Sequence, residues 1–438
     1  MNTEYDAIII GSGPAGYECA KIVSQLKGRA LIIEKDELGG TCTNYGCIPT
    51  KSLHASASIF QKMQKSEEYG ILSQGAKIDF GLLMKRKEDV VGVLSRGVSL
   101  ILKEHKVDVM KGSAVIKDNH TVVVDNREIR TKNIVIATGA RPRLIKGISL
   151  SESVLTSKEL LELSKLPESL IIVGGGYIGC EFGSIFSAFG SKVTIIEFLD
   201  RLVPGEDLEV SNELRRLMRR QGIKVHTGSK VQKIEGNEVY FEEGGKQSKA
   251  HGEKILISVG VEPSFDKIIM DKIGIKYENG ISINSRMQTS VSNIYAVGDC
   301  TGKIMLAHYA YAQAEIAAHN IMGQNDELNE DTVPNVIFTI PEISSVGVRN
   351  SKLKSEIFRF AANGKARTLS EIDGFVKIYH ENGLLMGFSC IGAGASELVA
   401  SATLAIKHKI PLKEIKSTII AHPTLSEAFK GAIGDSIN

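Results

Sequence analysis

The sequence predicts an α/β protein with two separate βαβ units followed by an α+β segment, and three observations predict it. An apolar run from Tyr5 to Ile10 leads into Gly11-Ser12-Gly13-Pro14-Ala15-Gly16, a helix-like segment, a second apolar run at residues 30–33, and then Glu34. The plan recurs at residues 170–173, which lead into Gly174-Gly175-Gly176-Tyr177-Ile178-Gly179, a helix-like segment, the run Lys192 to Ile196, and Glu197. After a polar stretch at residues 323–330, strand-like runs at 375–379 and 384–391 precede a helix-like Ala395–Lys407.

Each element of the repeat has a mechanical reason. The first glycine makes the tight turn, the second lets a pyrophosphate approach the backbone, and the third lets helix and strand pack. The helix N-terminus attracts the anion, and the acid that closes each unit, 23 positions after the first glycine in both copies, suits a ribose hydroxyl. One such glycine pattern can be a mere turn. Two complete copies predict two Rossmann-like dinucleotide-binding domains.

Composition excludes several classes. With 438 residues the chain exceeds one core, and its 53 Lys and Arg against 51 Asp and Glu leave a net charge of +2, too small a field to recruit nucleic acid or an acidic membrane. The arginines of the segment 207–221 sit at the end of an amphipathic helix pattern, where they complement the helix dipole rather than form a nucleic-acid patch. The longest stretch without a charged residue, 382–396, is too short to span a bilayer and carries glycines. A first strand already at Tyr5 leaves no room for a secretory signal, so a cytoplasmic location is expected, with a previously removed transit peptide left open.

Four of the six cysteines, Cys19, Cys180, Cys300 and Cys390, stand alone, whereas Cys42 and Cys47 lie five apart directly after the first ribose acid. Such a pair can be inert, metal-binding or redox-active. A metal site needs further ligands, and no second cysteine pair or HExxH cluster accompanies this one, so no metal is expected. Pro49 suits a first helical position, which would put Cys47 at or near a helix N-terminus, where the dipole favours a thiolate.

The segment Gly39-Gly40-Thr41-Cys42-Thr43-Asn44-Tyr45-Gly46-Cys47-Ile48-Pro49-Thr50-Lys51 resembles the redox-disulfide signature of the pyridine nucleotide-disulfide oxidoreductases. The likeness extends along nearly the whole chain: IATGARP at 136–142, ISVGVEPS at 257–264 and NIYAVGDCTGKIMLAH at 293–308 resemble the family's linking and second flavin-contact motifs. It implies non-covalent FAD, one per subunit, in a discontinuous domain (1–143 and 263–330), an NAD domain (144–262) and a C-terminal α+β dimerisation domain (331–438) of a homodimer. FAD contacts are then expected at Gly11, Gly13, Gly16, Glu34, Gly40, Thr41, Lys51, Ala114, Thr138, Gly139, Asp299, Met305, Leu306 and Ala307. NAD, a co-substrate, is expected at Gly174, Gly176, Tyr177, Ile178, Gly179, Glu181, Glu197, Val231 and Gly260. Tyr177 either covers the nicotinamide site or packs in the core.

Within the family, VTIIEFLDRLVPGED, KIMLAH and AHPTLSEAF resemble the branch that oxidises dihydrolipoyl groups with NAD+. Glu197 would accept both ribose hydroxyls of NAD and repel the 2′-phosphate of NADP. By spacing alone His422-Pro423-Thr424-Leu425-Ser426-Glu427 is a capping box with Thr424 as N-cap and Glu427 reaching back. The resemblance implies instead a dyad, with His422 the acid-base and Glu427 its orienting partner, facing the disulfide of the other subunit. It further implies Cys42 as the interchange sulfur, Cys47 as the flavin-facing one, and Lys51 near the flavin with Glu181 as ionic partner; from the residues alone, Lys51 also fits a solvated surface. Partners would be lipoyl domains of 2-oxoacid dehydrogenase acyltransferase components or the lipoyl carrier of glycine cleavage. Departures are Thr43-Asn44-Tyr45 and Thr50 in the redox motif, a short connection at 349–357, and no additional histidine before His422. Rival readings are a reductase of another disulfide or of mercuric ion, weakened by a C-terminus without vicinal cysteines, and a non-catalytic flavoprotein subunit, weakened by the presence of Cys42, Cys47, His422 and Glu427 together.

Overall fold

The computed structural model describes residues 4–73 and 75–434. They group into two units, one of residues 4–52, 84–143 and 261–329, the other of 53–73, 75–83, 144–260 and 330–434.

The first unit is built on a parallel sheet in the order Asp108–Lys111, Ala30–Glu34, Tyr5–Ile10, Arg127–Ile136, Ile294–Ala296. Tyr5–Ile10, Ala30–Glu34, Ile294–Ala296 and the end of Arg127–Ile136 are near-continuous apolar runs because both faces are covered there. Ala7, Ile9, Ile32 and Val135 point to one side, where they pack with Cys19, Ala20 and Val23 of helix Pro14–Gln25 and with Ala310, Ala314, Ala317 and Ala318 of helix Ala307–Ile321. These small side chains let the two helices lie close together. Ile8, Leu31, Ile33, Ile134 and Ile136 point to the other side, against Ile116, Val122 and Val124 of the antiparallel strands Ala114–Asp118 and Thr121–Val124.

The second unit repeats the device. Lys224–His226, Lys192–Ile196, Ser169–Val173, Lys254–Ile257 and Val154–Leu155 form a parallel sheet, joined by a three-stranded antiparallel sheet of Ser229–Glu235, Glu238–Glu243 and Lys246–His251. Its C-terminal part is a five-stranded antiparallel sheet in the order Asn335–Ile337, Glu342–Gly347, Leu384–Gly392, Phe375–Glu381, Lys354–Arg359. Helix Ala395–Lys407 lies on it through Leu398, Val399 and Ala402. The short connection after Gly347 is a turn leading directly into Lys354–Arg359.

Ion pairs tie the two parts of this unit, among them those of Arg216 and Arg220 with Asp373. Lys377, with its side chain only 6% exposed, reaches Asp207 Oδ2 at 3.1 Å and Glu209 Oε2 at 2.7 Å. Arg349 donates to the buried Glu206 carboxylate, which also accepts from Asn335 Nδ2 at 2.6 Å. Asp207 additionally caps helix Leu208–Arg220, accepting the Glu209 N–H at 2.8 Å. No helix of the described residues is long and apolar enough to cross a membrane.

Candidate active site

The two glycine loops are superimposable in their logic. A Cβ on Gly11 would lie 2.4 Å from the Ala137 carbonyl oxygen, and one on Gly174 the same distance from that of Ser258. On Gly16 and Gly179 it would meet the carbonyl oxygens of Gly11 and Gly174 at 1.9 and 2.0 Å. Backbone packing therefore requires the first and third glycines. Gly13 and Gly176, by contrast, face open space on the Cβ side. Each is the N-cap of the following helix, and neither supplies a side-chain acceptor to the helix's first N–H groups. A helix N-terminus that opens on a glycine with free space on its Cβ side fits a pyrophosphate in both copies.

The terminal acids are bound alike. Glu34 Oε2 accepts the N–H and hydroxyl of Ser12 at 2.8 and 2.7 Å, and its Oε1 the N–H of Asp36 at 2.7 Å. Glu197 Oε2 accepts the N–H of Gly175, and its Oε1 that of Leu199 at 2.7 Å. Each carboxylate is thus fixed, buried, against the glycine loop, with lone pairs left over for ribose hydroxyls.

The remaining expected FAD residues of the first unit fall on loops around its parallel sheet. Thr138 donates its hydroxyl to the Ser264 carbonyl, and Gly139, at φ 68°, accepts the Ser264 N–H at 2.9 Å. Ala114 begins a strand, while Met305 and Leu306 directly precede helix Ala307–Ile321. Asp299 lies in the turn Gly298–Thr301, and burial pushes its carboxyl up to about 6. Gln313 accepts the Gly298 N–H at 2.7 Å and so holds this turn in place, yet its own buried Nε2 has no partner among the described residues. Motif reading did not single it out, because a glutamine within an alanine-rich helix carries no spacing signal.

Cys42 lies on the short helix Gly40–Asn44, and Gly40 approaches the first loop so closely that a Cβ there would lie 2.7 Å from Gly13 Cα. The redox segment therefore grows directly out of the glycine loop. Helix Cys47–Gln64 starts at Cys47 itself, which makes Pro49 its third residue rather than its first. The cysteine gains the helix-terminal position all the same, since the N–H that proline lacks at the third position has no intrahelical acceptor anyway. Both cysteines are free thiols. The Cys42 thiol is held well above its usual value by its hydrogen bond to Cys47, by burial and by the Cys47 charge, with the Lys51 ammonium pulling the other way.

In the second unit, Tyr177 is half-exposed at the start of helix Tyr177–Phe189, which also carries Ile178 and Gly179. On the same helix Glu181 is buried and accepts the Phe338 N–H at 2.8 Å. Val231 sits in strand Ser229–Glu235, and Gly260, at φ 106°, follows strand Lys254–Ile257 with open space on its Cβ side.

His422 Nδ1 lies 2.9 Å from Glu427 Oε1, and Glu427 Oε2 accepts the Thr424 N–H at 2.9 Å. The two bonds drawn from spacing and from resemblance coexist, one on each carboxylate oxygen. They hold the Glu427 carboxyl below its usual value, the Thr424 N–H first and His422 second. Thr424 is not the N-cap. Its hydroxyl donates to the Ala421 carbonyl at 2.8 Å, so helix Glu427–Ile433 begins three residues later, with Ser426 before it. Phe429, edge-on to Phe388 at 5.5 Å, anchors that helix in the core, and Asn363 Nδ2 donates to the Thr424 carbonyl at 3.1 Å. The imidazole itself is exposed. Among the described residues no group of three His, Cys, Asp or Glu is placed to hold a metal.

Comparison with known proteins accords with this geometry. The model of the pyridine nucleotide-disulphide oxidoreductases matches residues 5–314, and that of the same family's dimerisation domain matches 333–433. A dihydrolipoyl dehydrogenase of Chlamydia pneumoniae is 38% identical over 99% of this chain and 97% of its own. One of Bacillus subtilis (strain 168) is 37% identical over 99% and 98%. Among solved structures, the HOCl-induced flavoprotein disulfide reductase RclA from Escherichia coli superposes with a TM-score of 0.88 at 29% identity, covering 99% of this chain and 100% of that one. LpdA from Mycobacterium tuberculosis gives 0.88 at 25%, covering 98% of both.

Proposed function

Because the chain belongs to the pyridine nucleotide-disulphide oxidoreductase family, we propose that it oxidises dihydrolipoyl groups borne by a partner protein, with FAD as resident cofactor and NAD+ as final acceptor. The observation that carries this reading is the dyad: an exposed imidazole whose Nδ1 is held 2.9 Å from a carboxylate oxygen leaves Nε2 as the base towards an incoming thiol. The near-full-length likeness to dihydrolipoyl dehydrogenases, and the carboxylate of Glu197 where an NADP enzyme needs cations, support the substrate and the nucleotide.

FAD is assigned to the first glycine loop with Glu34, Gly40, Thr41, Lys51, Ala114, Thr138, Gly139, Asp299 and Met305 to Ala307. NAD is assigned to the second loop with Glu181, Glu197, Val231 and Gly260. FAD held there would supply two-electron transfer between the cysteine sulfur and the nicotinamide. The chain's own residues do the rest. His422 Nε2 removes the proton of one substrate thiol, and Glu427 holds Nδ1–H and stabilises the imidazolium. The substrate thiolate attacks Cys42, the Cys42–Cys47 bond breaks, and Cys47 leaves as a thiolate favoured by its helix N-terminus and by Lys51. The second substrate thiol then attacks the sulfur bonded to Cys42 and yields its proton to the departing Cys42 sulfur, which closes the substrate disulfide and releases Cys42 as a thiol.

The same proposal includes the pairing of Lys51 with Glu181, the domain limits 143/144, 262/263 and 330/331, and a dyad that serves the partner subunit's disulfide. It also includes lipoyl domains of 2-oxoacid dehydrogenase or glycine-cleavage systems as partners, in the cytoplasm. Purified protein assayed with dihydrolipoamide and NAD+, beside glutathione disulfide and NADPH, tests it. Turnover in the first assay is expected; turnover in the second alone overturns the substrate.

A further inference from the structure

The connection 338–341, between the strands Asn335–Ile337 and Glu342–Gly347, is held at three successive residues by three side chains from separate helices. The Phe338 N–H donates to Glu181 Oε1 at 2.8 Å. The Thr339 carbonyl oxygen lies 3.2 Å from His54 Nε2, and the Ile340 carbonyl accepts from Gln221 Nε2 at 2.7 Å. Glu181 belongs to the helix of the second glycine loop, and Gln221 is the C-cap of helix Leu208–Arg220. His54 stands on helix Cys47–Gln64, one turn after Lys51, and its ring is edge-on to that of Phe338, at 5.9 Å between centroids and 78° between planes. These three side chains and the connection all belong to the second unit.

A carbonyl oxygen only accepts, so His54 Nε2 carries the hydrogen of its bond to Thr339. The two contacts of the imidazole bracket one residue: the ring lies against the Phe338 side chain, and the N–H takes the next carbonyl along. Thr339 is fully buried, and its own hydroxyl donates to the Pro341 carbonyl at 2.6 Å, which closes the connection on itself. The direction of the Phe338 N–H is therefore set by His54 from one side and by Gln221 from the other. Glu181 is buried, and a buried carboxylate keeps its place through the donors that satisfy it.

We propose that His54 is a positioning residue of the nucleotide site: by donating to the Thr339 carbonyl it fixes the connection 338–341, and through the Phe338 N–H it aligns the Glu181 carboxylate. This rests on the reading of Glu181 as partner of Lys51, at the end of NAD that exchanges the hydride. The other end is held separately, by the glycine loop and by Glu197, whose carboxylate is bonded to the N–H groups of Gly175 and Leu199. Loosening Glu181 therefore leaves nucleotide affinity nearly intact and misaligns the reacting end, an error that lowers kcat more than it raises KM.

The test uses the FAD-loaded holoenzyme and two variants. His54→Phe keeps a ring against Phe338 and removes the donor; His54→Gln loses the ring and keeps a donor for the Thr339 carbonyl. Without nucleotide, amide hydrogen exchange at Phe338, read from overlapping peptides by mass spectrometry, is expected to quicken about fivefold in His54→Phe, the worth of one hydrogen bond. In His54→Gln most of that change is expected to be absent. Rapid-mixing reduction of the flavin by NADH should slow about fivefold in His54→Phe, with the half-saturating NADH concentration within about twofold, and most of the loss should be recovered in His54→Gln. Reduction by dihydrolipoamide without NAD+, which bypasses the nucleotide, should be unchanged in both. Unaltered exchange at Phe338 in His54→Phe, equal losses in the two reductions, or a His54→Gln variant as slow as His54→Phe overturns the positioning role while the functional reading stands. A loss that persists undiminished when His54→Phe is made in a Glu181→Ala background overturns the route through Glu181. A wild-type flavin that NADH does not reduce overturns the reading of the second site, and the role of His54 with it.

Discussion

Replacing Glu427 by Gln sets the two duties of its carboxylate against each other. The carboxylate accepts from His422 Nδ1 with one oxygen and from the Thr424 N–H with the other. Glutamine has the same shape but only one oxygen. If that oxygen stays with Thr424, the amide NH2 faces Nδ1, the imidazole must accept there, and its proton moves to Nε2, where a base is needed. If the amide turns round, the productive tautomer survives but NH2 opposes the Thr424 N–H. Leaving a backbone donor unpaired disfavours that orientation by a factor of about ten or more, so about a tenth of molecules or fewer hold a competent base. The lost charge opposite the imidazolium adds to this, and a total fall of about 10²–10⁴ in dihydrolipoamide turnover is expected, the usual worth of a positioned base. NADH-driven dye reduction should remain within about twofold. Glu427→Ala, which removes the carboxylate but imposes no tautomer, should be no worse than Glu427→Gln. A Gln variant that keeps a third of the activity, or that clearly outperforms Ala, refutes the tautomer argument.

Three further outcomes follow from the site. Burial raises the Asp299 carboxyl to about 6, so the folded state disfavours its ionised form and loses stability as pH rises from about 4 through 6; in flavin-free protein Asp299→Asn should therefore gain up to about 3 kcal/mol above pH 6, a gain that shrinks below pH 6 and disappears near pH 4 in thermal melts, and an equal gain at both ends of the range contradicts the cause given. Gly16→Ala, where a Cβ would meet the Gly11 carbonyl oxygen at 1.9 Å, should prevent stable folding of the first unit, whereas Gly13→Ala should fold and bind FAD weakly, because the obstruction is met by the ligand alone; normal flavin content in purified Gly13→Ala counts against the cradle. Cys47→Ser should abolish the long-wavelength thiolate-to-flavin absorption of the two-electron-reduced protein, whereas Cys42→Ser retains it, and the reverse pattern exchanges the two roles.

The two nucleotide units were legible because their glycines answer to backbone contacts a few residues away, which any sequence of this plan must satisfy. Helix Ala395–Lys407 was equally plain from its apolar stripe. Local signals misplaced two helix starts. Pro49 is compatible with any of the first positions of a helix, so it could not fix Cys47 as the first residue. Thr424 has the right spacing for a cap, but its hydroxyl finds a carbonyl instead of an N–H, a choice set by the turn around Pro423 and not by spacing. The His54–Thr339 bond joins residues 285 apart, and the Lys377 ion pairs span 170 and 168. No periodicity or motif reports contacts at such separation, since they depend on which helices and sheets come to pack.

Lys377 also bears on how the molecule comes apart. Its ammonium sits in the C-terminal sheet while Asp207 and Glu209 belong to the helix that follows the second glycine loop. Melting either element alone would strand a buried charge, a penalty of about 3–5 kcal/mol for a pair broken on one side. The second nucleotide fold and the C-terminal sheet are therefore expected to denature in a single cooperative transition, so that a protease probing the partly heated protein finds no stable fragment ending between them.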